Sequence, residues 1–194
     1  MKHYEKHVSE KVITELNKLI GGAVFYMSFP YVNIHHDLKK ISFESGTMTV
    51  SCKDFGYKVT FMSEWSETFI SYIDCKEFII NIEVTTENLK SCTMNYALTD
   101  PNRESKVTFK ASSIRSVLVY KSIIEAPDET VDFDSHIIFI LENGRAIIFE
   151  VEIDLTDAVN MIITDSEKID KVIGEYKNNY KFNKLNISER IRIG

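Results

Sequence analysis

The sequence predicts an α+β domain that is predominantly antiparallel β: about nine or ten strands in a curved sheet, sandwich or barrel, with an N-terminal and a C-terminal helix. Three observations predict it. Apolar and polar residues alternate through most of the middle of the chain, which is the period of a half-buried strand. The segments between these runs are turns rather than helices, so successive strands pair antiparallel. A period of three to four residues occurs only toward the two ends. At 194 residues the chain is long enough to bury a core without disulfides or metals, and residues 1–194 read as one domain.

The first element is an amphipathic helix from Glu5 to Ile20, with Val8, Val12, Ile13, Leu16, Leu19 and Ile20 on one face and Gly21-Gly22 as its stop. After Pro30, Ile41, Phe43, Met48 and Val50 share a face, and Ser45-Gly46 fits a tight hairpin turn between them. The turn at "KDFG" leads into Tyr57, Val59 and Phe61, and Trp65 to Ile73 reads as strand rather than helix. "EFIINIEV", "SCTMNYAL", "KVTFKAS" and "IRSVLVYKSII" are further strands. Near the end, Thr164 and Glu167 have the spacing of a capping box for a helix to about Lys177, with Ile169, Val172, Ile173 and Tyr176 as its buried stripe. A shorter helix is expected from Thr156.

The most legible stretch is "FDSHIIFILENGRAIIFEVEID", where Asn143-Gly144 suits a two-residue type I′ turn. That turn pairs Glu142 with Arg145, Ile140 with Ile147 and Ile138 with Phe149. One face then collects Ile138, Ile140, Ile147, Phe149, Val151 and Ile153. The other face is apolar near the turn, through Ile137, Phe139, Leu141 and Ile148, and acidic beyond it at Glu150, Glu152 and Asp154.

Acid is concentrated here. The net charge is −6, yet residues 125–157 hold ten acidic residues against one basic, Arg145. Because charges are screened over about 8 Å at physiological salt, such clustering matters more than the total. Nucleic-acid binding is disfavoured, since phosphate contacts need clustered Lys and Arg. The basic run that does occur, "YKNNYKFNKLNISERIRIG", reads as a closing segment whose "RIRI" joins a sheet edge. An alternative reading lays that segment across the acidic face and neutralises it.

Catalytic and metal signatures are weak. His3 and His7 lie four apart and His35-His36-Asp37 forms a second cluster, but neither has further ligands at a recognisable spacing. Asp128, Asp132 and Asp134 lack the glycine and closing glutamate of a calcium loop. Asp134-Ser135-His136 contains the residue types of a hydrolase triad, but neighbours on a strand point to alternate faces, so these three do not form one among themselves. Phosphate-binding loops and G-x-S-x-G are missing. Cys52, Cys75 and Cys92 have no metal spacing and read as reduced, buried thiols. No signal segment or membrane span is expected, so the location is taken as cytoplasmic.

These readings favour a protein-binding module over an enzyme, without deciding between them, and call for no cofactor. Its acidic face, Asp128, Glu129, Asp132, Asp134, Glu150, Glu152 and Asp154, would engage a basic protein, as an inhibitor or immunity-type antagonist of a basic toxin or nuclease would. The alternative is a small-ligand-binding barrel or curved sheet lined by Phe55, Tyr57, Phe61, Trp65, Phe69 and Tyr72.

Overall fold

A computed structural model of the chain describes residues 2–29, 32–35, 40–52, 56–70, 73–85, 95–100, 103–108, 112–152, 159–179 and 184–194. The described residues form fourteen strands and two short α-helices. Sheet A has eight strands. Seven run in the order β14 (Leu185–Ile193), β10 (Ile114–Glu125), β11 (Glu129–Leu141), β12 (Arg145–Val151), β13 (Val159–Asp165), β4 (Lys40–Phe43), β3 (Val32–His35). The eighth, β1 (Lys2–Lys6), pairs in parallel with β11, while the rest of the sheet is antiparallel. Sheet B orders β2 (Ala23–Ser28), β5 (Ser45–Ser51), β6 (Gly56–Ile70) and β7 (Ile73–Thr85), and β8 (Asn95–Asp100) pairs with β9 (Arg103–Thr108) in a ribbon. Neither main sheet closes into a barrel.

One continuous hydrophobic cluster draws on both sheets: Met48, Val50, Val59 and Phe61 from sheet B meet Val117, Val119, Ile137, Phe139, Ile147, Phe149 and Val151 from sheet A. Phe61 stacks on Phe149 at 3.9 Å between ring centres, and Phe139 meets Phe149 edge-on at 6.0 Å. Of the aromatics expected to line a pocket, Tyr57 and Phe61 therefore fill the core. Trp65 and Phe69 are on β6, and Phe55 and Tyr72 fall outside the described residues. A second cluster on the other face of sheet A joins Leu118, Ile138, Ile140, Ala146 and Ile148 to Ile169, Val172 and Ile173 of helix α2 (Ile169–Asn179).

Several local expectations are corrected. The first helix, α1, runs from Glu10 to Asn17, capped by Ser9, whose hydroxyl accepts from the Val12 amide at 3.3 Å. Residues 2–6 are instead β1, because pairing with β11 supplies them with ladder hydrogen bonds. Ser45-Gly46 is not a hairpin turn: β4 lies in sheet A and β5 in sheet B, so the chain changes sheets at Glu44. A Cβ on Gly46 would come within 2.5 Å of Phe29 and 2.7 Å of Phe43, and this close approach is what the glycine serves. Thr164 lies in β13 opposite Ala146, so no capping box forms, and α2 is entered through a 3-10 turn at Ser166–Lys168. The helix expected from Thr156 is replaced by β13 from Val159 on, and residues 153–158 lie outside the described set.

The β11–β12 register also differs from the sequence reading. Ile138 faces Ile148 and Phe139 faces Ile147. Glu142, Asn143 and Gly144 make a three-residue loop in which Gly144, at φ +79°, donates to the Leu141 carbonyl at 3.1 Å. One extra loop residue shifts the pairing by one and exchanges the faces, since strand side chains alternate with period two. Ile137, Phe139, Leu141, Ile147, Phe149 and Val151 thus face the two-sheet core, while Ile138, Ile140 and Ile148 lie beneath α2.

Candidate functional site

Sheet A forks at the middle of β11. One edge of β11 is held by β10 along its length, while the other is shared: β12 pairs with His136–Ile140 and β1 with Glu129–Phe133. Between these partners lie Asp134 and Ser135. Two β-bulges meet at the same level, where Ser135 is the extra residue of β11 opposite Tyr120–Lys121 and Arg190 is the extra residue of β14 opposite Val119–Tyr120. Bulges re-aim side chains, and here they gather polar groups at the fork.

Asp134, 1% exposed, is the centre of the first group. The Arg190 guanidinium donates to both of its oxygens, from Nε at 2.7 Å and Nη2 at 2.5 Å. The Val8 amide donates to Oδ2 at 2.8 Å, and His7 Nδ1 lies 3.1 Å from Oδ1. Beside it, Lys121 donates to Asp132 Oδ2 at 2.7 Å. A buried carboxylate needs this density of partners to remain inside a protein.

The second group runs through the sheet. Ser122 donates to Ser135, whose hydroxyl lies 2.8 Å from His136 Nδ1. Ser135 and His136, adjacent on a strand, can meet because the bulge breaks the usual alternation. His136 Nε2 sits 3.6 Å from Glu150 Oε2, too far for a hydrogen bond. Lys40 bridges Glu150 at 3.1 Å and Glu152 at 3.2 Å, and Asn160 donates to both carboxylates while accepting from Ser42. Burial works to raise the Glu150 pKa, but His136 and Lys40 outweigh it and hold the carboxyl below its ordinary range. Tyr176 closes the group from above, its ring 4.4 Å from that of His136 and its hydroxyl donating to the Val151 carbonyl at 2.9 Å.

Ser135, His136 and Glu150 thus have the composition of a nucleophile, base and acid, but none is more than 3% exposed. As arranged, they form an internal polar chain without a surface for substrate.

Compared with protein-family models, curated proteins and solved structures, the chain matches none.

The acidic residues singled out from the sequence separate into distinct places. Asp132, Asp134 and Glu150 are buried and Glu152 is half-buried, each beside a cation. Asp128 is exposed and Glu129 half-buried at the start of β11, and Asp154 lies outside the described residues. Lys121 and Lys40 are the residues that sequence reasoning missed, since each stands 11 or more positions from its acid and nothing local pointed to the pairing. Arg190, in the basic segment that one reading laid across the acidic face, meets Asp134. His3 is exposed, whereas His7 is drawn into the fork, and residues 36–37 are outside the described set. Cys52 is half-buried, with its thiol pushed up by burial.

Proposed function

We propose that the chain is a non-catalytic binding module that engages a basic protein through the acidic end of the β10–β11 hairpin, at Glu125, Asp128 and Glu129. It would act as a single unit in the cytoplasm, in the manner of an inhibitor or immunity-type antagonist of a basic toxin or nuclease. The observation that carries this reading is how the acid is distributed after folding. Most of the acids of residues 125–157 that lie inside are met by the chain's own Lys40, Lys121 and Arg190. At the hairpin end, Glu125 and Asp128 are exposed and Glu129 is half-buried. The exposed Glu125–Lys184 pair at 3.3 Å, in water, is an easily exchanged contact. An acceptor-rich rim of this kind suits Lys and Arg donors and steers a basic partner at low salt. The closed state of Ser135, His136 and Glu150 supports binding over catalysis. Among the described residues no helix is long and apolar enough to cross a membrane.

The test is affinity capture from the native host at low and high salt, with the natural chain and with Asp128→Lys/Glu129→Lys. A basic protein should be retained at low salt, released at high salt, and lost on charge reversal. Equal capture by both chains counts against the proposal.

A further inference from the structure

We propose that Glu5, His7 and Asp132 form a binding site for a divalent transition cation of the Zn2+ type, which ties β1 to β11. His7 Nε2 lies 3.3 Å from Glu5 Oε1 and 3.4 Å from Asp132 Oδ1, and the three ligand atoms lie within 4.8 Å of one another. A tetrahedral ion bound at about 2.0–2.1 Å has ligand-to-ligand edges of about 3.3–3.4 Å. Two of the three edges already have that length.

The chemistry of each group points inward. Asp134, gripped by Arg190, lies 3.1 Å from His7 Nδ1; a carboxylate can only accept, so Nδ1 carries the proton. Nε2 then presents a lone pair to two carboxylate oxygens, an arrangement that repels unless a cation lies between them. A carboxylate behind the imidazole is also the usual support of a metal-bound histidine. The second observation is independent of this one. The Asp132 side chain is 9% exposed and its Oδ2 is taken by Lys121, yet its Oδ1, which faces His7, has no hydrogen-bond partner. A proton on Nε2 leaves that oxygen unmet at 3.4 Å, whereas a metal ion satisfies all three atoms.

Charge permits the ion. Glu5, Asp132 and Asp134 face Lys121 and Arg190, which leaves one negative charge. One imidazole and two carboxylates suit Zn2+ better than Mg2+ or Ca2+, which prefer all-oxygen shells. Glu5 is 64% exposed, so an ion can enter from solvent and a water can take the fourth position. Glu5 comes from β1, His7 follows that strand directly and Asp132 comes from β11, and the site therefore fastens the parallel pair of an otherwise antiparallel sheet. The site stands apart from partner recognition and can be tested on the chain alone.

The experiment is calorimetric titration of the tag-free chain with Zn2+, with Mg2+ as the oxygen-preferring control, for the natural sequence, Glu5→Gln and His7→Gln. One Zn2+ should bind per chain and raise the melting temperature. Binding should weaken by at least about tenfold in Glu5→Gln and vanish in His7→Gln. Absence of Zn2+ binding by the natural chain overturns the proposal, and so does binding undiminished in Glu5→Gln, an exposed substitution that leaves the core untouched.

Discussion

Glu150 shows how a single residue can change meaning on folding. On a regular hairpin strand it reads as part of a solvated acidic face; in the folded chain it is 3% exposed and sits between His136 and Lys40. Its stability contribution follows from the direction of its pKa. The folded chain holds this carboxyl below its ordinary range, so the unfolded chain takes up the proton more readily. The stabilisation is complete above the unfolded pKa and is lost as pH falls through the folded value. Replacing Lys40 by Met removes the cation in direct contact and leaves burial less opposed. The acid limb of unfolding in Lys40→Met should therefore move to higher pH than in the natural chain, as followed by circular dichroism across the acid range; coincident acid limbs would refute the assignment.

Among the elements, the β11–β12 hairpin decides most. Its loop contains the Asn-Gly pair expected of a two-residue turn, but Glu142 joins the loop and Gly144 alone closes it at φ +79°. A Cβ at Gly144 would meet nothing within 4 Å, so the cost of adding one is conformational rather than steric crowding by neighbours. Gly144→Ala should lower stability by about 1–2 kcal/mol, measured by urea denaturation, because an L-residue disfavours the left-handed region by that amount. The loop also explains the exchanged faces. Ile138, Ile140 and Ile148 lie under α2, and Phe139 and Phe149 enter the core between the sheets. Both faces of the hairpin are apolar near its turn, so the periodicity fits either register, and one loop residue chooses between them.

For the whole molecule, the last strand is the critical piece. β14 pairs with β10 from Val117 to Ile124, buries Leu185 and Ile193, and brings Arg190 to Asp134. A chain ending at Asn179 loses two buried aliphatic side chains at about 1.5–3 kcal/mol each. It also strands Asp134 without its guanidinium, a loss of about 3–5 kcal/mol. The sum approaches the whole stability of an ordinary domain, so the truncated chain should be unfolded by circular dichroism, at low and high salt alike, because a buried pair is little screened. A folded truncation product would show that β14 is dispensable.

The sequence by itself determined the antiparallel β character, most strand positions, the burial of Ile41, Phe43, Met48 and Val50, and the basic tail as a sheet-edge strand. These follow from period and composition, which are local properties. The tertiary structure decided the hairpin register, the change of sheet at Glu44, the parallel β1 and the fork. It also decided which carboxylates meet Lys40, Lys121, Arg190 and His7. The reason is that bulges, strand pairings and buried polar contacts join residues far apart in the chain, as the Val8 amide and the Asp134 carboxylate do across 126 positions, where no local pattern carries a signal.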